Sequence, residues 1–208
     1  YAAREHGCRV TTTTISREQY RLARERVERA GLSDRIEVHC RDYRDLEGSY
    51  SKAVAIEMIE AVGHRFLPRF FRCVADRLRP GGKLALQAIT MPDHRYERYR
   101  RTVDFIRASI FPGSCVPSVS AMASAASRRT DFRLVHLDDI GPHYATTLRH
   151  WRRRFLQRRD EVRALGYPES FVRLWDYYLC YCEAGFAERY TGDVHMVFSR
   201  GRAGGVLG

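Results

Sequence analysis

The stretch KAVAIEMIEAVGH, from Lys52 to His64, decides the fold that the sequence predicts. Its first five residues form a short apolar run typical of a strand, and a helix is expected over residues 64–79. The turn RPGG then leads into a second apolar strand, KLALQAI, over residues 83–89. Strands that alternate with helices at this spacing pair in parallel, with the helices packed on both faces of the sheet. We therefore expect an α/β fold with a mostly parallel, doubly wound sheet.

The alternation extends upstream of this stretch. YAAREHG is typical of a helix end closed by Gly7, and CRVTTTTI is typical of a strand. A helix begins at Ser16, with Gln19 three residues later as in a capping box. A second strand is expected over residues 36–40, before the polar segment RDYRD. The upstream part therefore predicts one more strand, helix and strand.

Downstream of Met91 the pattern is looser. We expect a basic helix over residues 93–108, then strands and helices that cover the sheet: a strand over 132–137, an arginine-rich helix over 148–165, an aromatic helix over 171–186 and a closing strand over 194–199. There is no clear linker, which predicts one domain over residues 1–200. The glycine-rich segment 201–208 is expected to be a flexible tail.

Composition and charge limit the partners. The net charge is +11, and all but two of the 36 basic residues are arginine, so the surface should attract anions such as phospholipid headgroups or nucleic acid. The arginines follow no recognisable nucleic-acid module, and we expect no nucleic-acid partner. The six scattered cysteines suggest reduced thiols in a cytoplasm, and Cys180-x-Cys182 lacks a second ligand pair, so no metal is predicted. No signal peptide or spanning helix is visible, which predicts a cytoplasmic protein, or one peripheral at the inner membrane surface.

The carboxyl ends of parallel strands are where ligands bind in such folds, and three of these ends carry polar groups. Asp42 and Tyr43 could hydrogen-bond to an adenine and stack on it, or they could form a solvated turn. Gln19 could reach a ligand or simply complete the cap begun by Ser16. Glu57 and Glu60, directly after the KAVAI strand, look like an acid and base pair. The residues alone leave these alternatives open.

A nucleotide-type site also needs a first strand and a glycine-rich turn under the cofactor, and the sequence contains neither in the right place. The glycine pairs, at Gly81 and Gly204, lie elsewhere. We therefore expect the sequence to be truncated at its amino end.

Several blocks of the sequence carry a family resemblance. Residues 11–63, IFPGSCVPS (110–118), YATTLRHW (144–151) and RLWDYYLCYCEAGFAERYTGDVHMVFSRG (173–201) resemble, in order, the cyclopropane-fatty-acyl-phospholipid synthases and the related mycolic acid cyclopropane synthases. These enzymes are S-adenosylmethionine-dependent methyltransferases of the Rossmann-like class. The resemblance covers nearly the whole chain and implies that the family's amino-terminal region and glycine-rich loop are missing, so the chain alone would bind cofactor weakly if at all.

Carried over position by position, the resemblance implies two groups of cofactor-binding residues. Thr14, Ile15 and Gln19 fall on the ribose and amino-acid side of S-adenosylmethionine, and Asp42 and Tyr43 fall at the adenine.

The resemblance also implies a bicarbonate ion held by Glu60, the backbone of Ile89, and Tyr144. Gln87 stands where many members have a histidine ligand, and Ala61 likewise replaces a histidine. Glutamine can donate a hydrogen bond but cannot carry a proton as histidine does. Glu57 is assigned no role.

The implied reaction transfers a methyl group from S-adenosylmethionine to the cis double bond of an unsaturated phospholipid acyl chain. Bicarbonate, oriented by Glu60, then removes a proton so that a cyclopropane ring closes. Aromatic faces could stabilise the intermediate cation, and Tyr144 is a candidate; Trp175, Tyr178 and Tyr181 fit a core stripe better. The arginine-rich helix is either a solvated face or a contact with anionic membrane.

Two alternatives remain open from the sequence. One is a fatty-acyl methyltransferase that makes methyl-branched lipids, since both enzymes begin with the same methyl transfer. The other is a non-catalytic basic fragment that binds membrane or nucleic acid.

Overall fold

The computed structural model describes residues 1–201, and residues 202–208 of the predicted tail lie outside the described residues. The chain divides into two compact units, Tyr1–Gly48 and a second unit that begins at Ser49. The expectation of one domain over residues 1–200 stays a prediction. No helix within residues 1–201 is long and apolar enough to cross a membrane.

The first unit contains two parallel strands and the helix that connects them. Its elements are α1 (Ala2–His6), β1 (Val10–Thr14), α2 (Arg17–Arg29), β2 (Ile36–Cys40) and a 3-10 turn at Tyr43–Asp45. Val10 lies opposite Ile36, and Thr14 lies opposite Cys40, so both strands end at the same edge. Gly7 closes α1 with a φ of 62°, a left-handed conformation that glycine adopts without a steric penalty. The elements predicted upstream of Lys52 are confirmed.

The second unit is larger and holds the other four strands. Its elements are β3 (Tyr50–Ile56), 3-10 turns at Ile59–Ala61 and His64–Phe66, α3 (Leu67–Arg77), β4 (Leu78–Thr90), α4 (Asp93–Tyr99), a π-helical turn at Ile106–Ile110, α5 (Val119–Arg129), β5 (Arg133–Asp139), α6 (Gly141–Gln157), α7 (Arg159–Ala164), α8 (Glu169–Ala187) and β6 (Gly192–Ser199). Three predicted details differ. The arginine-rich helix expected over 148–165 is divided into α6 and α7. The basic helix expected over 93–108 is broken into α4 and the π-helical turn, and the RPGG turn lies inside β4, where pairing with β3 is irregular.

The sheet of the second unit has the order β3-β4-β6-β5. β3 and β4 are parallel, whereas β6 runs antiparallel to both of its neighbours. The α/β class is thus confirmed, and the sheet is mixed because β6 is antiparallel. This closing strand enters between β4 and β5 instead of adding at an edge. This insertion places residues near the end of the chain beside the strands that carry the predicted site.

The two faces of β4 have different surroundings. Leu84, Leu86 and Ala88 are buried on one face, which packs against α3 and against Phe198 of β6. The core on this side contains aromatic edge-to-face contacts, such as that between Phe71 and Phe198 with ring centroids 5.3 Å apart. The alternation of a strand therefore turns Gln87 and Ile89 to the opposite face. There Ile89 packs against a cluster from α6 and α8: Ala145, Leu148, Leu179 and Phe186.

Candidate active site

The predicted cofactor residues of the first unit lie where β1 and β2 end. Thr14 is the last residue of β1, and the exposed Ile15 follows it. The Thr14 hydroxyl donates a hydrogen bond of 2.6 Å to Oε1 of Gln19 and accepts one of 3.1 Å from the backbone N–H of Ser16. Ser16 caps α2 by accepting a bond from the backbone of Gln19. The Gln19 side chain thus bonds to the strand end, and the reciprocal half of a capping box does not form.

Asp42 and Tyr43 follow β2 at the same edge. The Asp42 carboxylate caps the short 3-10 turn, accepting bonds from the backbone N–H of Arg44 at 2.9 Å and from its guanidinium at 2.8 Å and 2.6 Å. These bonds hold the carboxylate in a fixed position at the end of β2. The half-buried Tyr43 ring lies next to it in sequence.

These side chains fit an adenosyl ligand chemically. A hydroxyl and an amide stand at one strand end, and a fixed carboxylate beside an aromatic ring stands at the next strand end of the same parallel pair. Ile15, 79% exposed, is an apolar side chain that a ligand could cover. The first unit therefore presents the groups expected for the polar edges of S-adenosylmethionine.

In the second unit, Glu57 and Glu60 leave the end of β3 in different directions. Glu57 has a φ of 49°, an unusual conformation for a residue other than glycine, which costs on the order of 1–3 kcal/mol. Its backbone N–H donates to the carbonyl oxygen of Gln87 at 3.0 Å. Glu60 lies in the 3-10 turn that follows. The strained backbone of Glu57 thus lies where its own side chain turns towards Gln87 and Tyr144.

Gln87 connects the acidic residues. Its Nε2 donates to Oε1 of Glu57 at 2.9 Å and to Oδ2 of Asp193 at 3.1 Å, and its Oε1 lies 3.2 Å from Nε2 of His195. The hydroxyl of Tyr144 donates to Oε2 of Glu57 at 3.0 Å. Both oxygens of Glu57 are therefore bonded, and the network spans β4, β6 and α6.

Glu60 bonds separately to the end of β4. Its Oε1 accepts the backbone N–H of Ile89 at 2.7 Å, and its own carbonyl oxygen accepts the N–H of Cys115 at 2.8 Å. Oε2 of Glu60 is buried and accepts no hydrogen bond from the described residues. Burial, with smaller contributions from the charges of Glu57 and Asp193, raises the pKa of Glu60 to about 7.

Asp193 is fully buried, and its Oδ1 likewise has no partner among residues 1–201. Burial and then repulsion from Glu57 raise the pKa of Asp193 to about 6. Burial and the neighbouring Glu57 also raise the pKa of Tyr144, so its hydroxyl remains a donor at neutral pH. Three carboxyl groups thus share one partly desolvated site, where a proton is held near neutral pH.

The structure brings the four predicted catalytic residues into one region, but in two groups. Glu60 meets the backbone of Ile89, whereas Gln87 and Tyr144 meet at Glu57. Sequence reasoning gave Glu57 no role and did not consider Asp193. The signal for Glu57 was its place directly after a strand. Asp193 is the one acid in the closing strand, GDVHMVFS, which is a weaker signal.

The fit of a bicarbonate ion can be tested against these bonds. Of the groups predicted to hold it, the Ile89 N–H donates to Glu60, the Tyr144 hydroxyl donates to Glu57, and the Gln87 amide donates to Glu57 and Asp193. Each donor is already engaged by a carboxylate of the chain, and a further anion would add repulsion to three acidic groups. In this arrangement the site does not fit bicarbonate.

Aromatic rings form the wall beside the acids. The Tyr144 ring packs on Phe186 at 4.6 Å and on Trp151 at 6.2 Å. Trp175 and Tyr178 pack against the apolar cluster between α6 and α8, as the core interpretation predicts. Tyr144 is therefore the aromatic residue whose hydroxyl also contacts the acidic network.

The arginine-rich face of α6 is partly engaged within the unit. Arg149 pairs with Glu183 at 2.8 Å and Arg152 pairs with Asp176 at 2.6 Å, and both acids lie on α8. These two arginines fasten α6 to α8. Arg153 and Arg154 bond only locally to His150 in the described structure and keep exposed heads.

Comparison with known proteins identifies the family of the chain. The sequence model of a family described as mycolic acid cyclopropane synthetase matches residues 1–196. The chain is 47% identical over 93% of its length to tuberculostearic acid methyltransferase UfaA1 of Mycobacterium tuberculosis, and 34% identical over 99% to cyclopropane-fatty-acyl-phospholipid synthase of Escherichia coli K12. It covers 45% and 51% of these proteins, so the chain spans about half the length of the curated relatives it matches.

Among solved structures, the fold matches a mycolic acid cyclopropane synthase, CmaA1, in complex with SAH and CTAB. The TM-score is 0.88 at 24% identity, over 96% of this chain and 72% of that one. This likeness identifies the Rossmann-like fold of the methyltransferases.

Proposed function

Because the chain belongs to the mycolic acid cyclopropane synthetase family, we propose that it forms the catalytic part of an S-adenosylmethionine-dependent methyltransferase acting on the double bond of an unsaturated phospholipid acyl chain. Its relatives are methyltransferases and cyclopropane synthases of lipids. The observation that carries the proposal is the group of three carboxyls, Glu57, Glu60 and Asp193, beside the aromatic wall of α6 and α8.

The chain's residues have separate tasks in this reaction. When bound, S-adenosylmethionine supplies an electrophilic methyl group that the double bond of the lipid attacks. Thr14, Ile15, Gln19, Asp42 and Tyr43 would hold the cofactor. Apolar and aromatic side chains of α6 and α8 would exclude water while the alkylated chain carries a positive charge.

The acidic residues handle the proton that must then leave the lipid. A base is most effective when its pKa lies near the working pH, and burial places the pKa of Glu60 there. The negative charge of the group also favours a cation beside it. Tyr144 would orient Glu57 and present its ring face to the same space.

Loss of that proton with formation of a carbon–carbon bond gives a cyclopropane ring, which is the product we propose. A second candidate is a methyl-branched product, favoured by the relative at 47% identity, which is named a methyltransferase and not a cyclopropane synthase. That route leaves an alkene on deprotonation, and a saturated branch would need a separate hydride donor.

The test is an assay of the full-length protein with S-adenosylmethionine and vesicles of an unsaturated phospholipid, followed by mass spectrometry of the released fatty acids. We expect a mass gain of one CH2 unit and resistance of the product to hydrogenation under conditions that reduce alkenes. Vesicles of the saturated phospholipid are the control. Absence of S-adenosylhomocysteine formation with the unsaturated lipid would refute the proposal, and a product that takes up hydrogen would favour the second candidate.

We also propose peripheral contact with anionic lipid through α6 and α7, since the substrate lies in a bilayer. The support is the exposed arginines Arg153, Arg154 and Arg159, beside a surface groove of about 410 Å³ lined in part by Arg149 and Arg152. Changing the three exposed arginines to glutamine should weaken sedimentation with anionic vesicles, because each basic residue near such a surface contributes about 1 kcal/mol. Unaltered sedimentation would remove this helix from the membrane contact.

A further inference from the structure

The hydrogen bonds of the second unit indicate which group can act as the base that removes the proton. The donors that would hold a bicarbonate ion are engaged by the chain's own carboxylates, and the only catalytic candidates left with an open acceptor among the described residues are carboxyl oxygens. Those oxygens are Oε2 of Glu60 and Oδ1 of Asp193.

Of these two, Glu60 has the better position for direct proton transfer. It lies in a 3-10 turn beyond the end of β3, and one of its oxygens is fixed by the 2.7 Å bond from the Ile89 N–H. A carboxylate held through one oxygen presents the other in a fixed direction, as a general base requires. The free oxygens of both residues are buried, so burial does not distinguish them. Asp193 lies within β6 and bonds to Gln87, whereas Glu60 follows the end of a parallel strand, where ligands bind in such sheets.

We propose, building on the function proposed above, that Oε2 of Glu60 is itself the base that takes the proton from the methylated acyl chain, with no bicarbonate bound. The carbon–hydrogen bond of the transferred methyl group breaks, its electron pair forms the new carbon–carbon bond, and the proton goes to Glu60. Glu60 then returns the proton to solvent when the product leaves. No oxidant or reductant is needed.

Glu57, Gln87, Asp193 and Tyr144 are positioning residues for this base. Glu57 and Asp193 add negative charge next to Glu60, which favours its protonated form, and burial has the same effect. Gln87 joins Glu57 to Asp193, and Tyr144 completes the bonding of Glu57. Nε2 of His195 lies 3.2 Å from the side-chain oxygen of Gln87.

The replacement of a histidine by Gln87 fits this arrangement. A neutral amide can donate to two carboxylates at once without changing the charge of the site. The uncharged Ala61, next to Glu60, likewise supplies no competing proton acceptor. At these two positions the chain therefore has no histidine that could compete with Glu60 for the proton.

The first experiment is the response of the full-length protein to bicarbonate. Ring formation is measured in buffer purged of carbon dioxide and again after adding sodium bicarbonate. We expect the same rate in both. A rate that collapses on purging and returns with bicarbonate overturns the proposal while leaving the methyltransferase function intact, whereas a protein that makes no S-adenosylhomocysteine in either buffer refutes the function itself.

The second experiment uses Glu60→Gln, which keeps an acceptor for the Ile89 N–H but cannot take a proton. We expect ring formation to fall by about 10²–10⁴-fold, while the affinity for S-adenosylhomocysteine, measured by calorimetry, is unchanged. Glu188→Gln, an exposed glutamate after α8, is the matched control and should retain full activity. Ring formation by Glu60→Gln within a few-fold of the unaltered protein overturns the proposal.

A pH profile separates positioning from a purely structural role. The rate should rise with pH through the pKa of Glu60, because the base must be ionised. In Glu57→Gln the loss of a neighbouring negative charge should move the rise to lower pH, and Asp193→Asn should do the same. If either variant lowers the rate at every pH without moving the midpoint of the rise, the positioning role assigned to that residue is wrong.

Discussion

Asp193→Asn should make the protein more stable at neutral pH and less active. The loss of stability that the native Asp193 causes at neutral pH follows from its pKa. This pKa rises from 3.8 in the unfolded chain to about 6 in the folded one. Between these values the folded state binds more protons than the unfolded state, so the free energy of unfolding falls as pH rises. The stability that protonated Asp193 contributes is complete below pH 3.8 and is lost by the time the pH has passed about 6.

The size of the effect can be worked out from these two values. A difference of about two pKa units corresponds to about 3 kcal/mol once both states are ionised. About half of this, roughly 1.4 kcal/mol, is lost between pH 5 and pH 7.5. Asparagine does not ionise and can still accept the bond from Gln87 and donate to Glu57. The difference in free energy of unfolding between the variant and the native protein should therefore grow by roughly 1.4 kcal/mol from pH 5 to pH 7.5.

The assay is urea unfolding followed by far-ultraviolet circular dichroism at pH 5 and pH 7.5, with both proteins at full length. Asp76→Asn is the control, because Asp76 forms an exposed ion pair with Arg72 on α3 and should show no such growth with pH. The reasoning fails if the difference in unfolding free energy between the Asp193 variant and the native protein is the same at both pH values.

Three further predictions concern other parts of the molecule. Tyr144→Phe removes the donor to Glu57 and should cost about 1–3 kcal/mol of stability and lower the rate of ring formation, as measured by urea unfolding and by the lipid assay; an unchanged rate would exclude the hydroxyl from the site. Phe71→Ala deletes a fully buried ring that contacts Phe70, Phe132 and Phe198 and should cost about 3–5 kcal/mol in the same unfolding measurement; a loss below about 1 kcal/mol would contradict the assigned core. Asp42→Ala should weaken S-adenosylhomocysteine binding about tenfold by calorimetry, and equal affinity would remove Asp42 from the proposed cofactor site.

Local sequence signals were sufficient for most of the secondary structure. The strands predicted at KAVAI, KLALQAI and VHMVFS are present, and so is the cap at Ser16, because each depends on residues close together in the chain. The basic helix after Met91 was predicted less well, since the turns around Ile106–Ile110 depend on packing that periodicity does not record.

The candidate site was predicted in part. The resemblance selected Glu60, Gln87, Ile89 and Tyr144, and the structure brings all four into one region. It did not select their partners. Glu57 is a partner because a left-handed backbone turns its side chain to Tyr144, and no local pattern predicts that conformation for a glutamate.

The sequence by itself determined the α/β class, the order of strands and helices, and the acidic residues at the end of β3. Only the tertiary structure decided that β6 enters antiparallel between β4 and β5, which sets Asp193 opposite Ile89 and within reach of Gln87. Gln87 and Asp193 are 106 positions apart in the chain. Strand periodicity specifies which face a residue occupies, whereas strand order and register depend on how whole elements bury their apolar faces together, and it is that packing which brings the three carboxyls into one site.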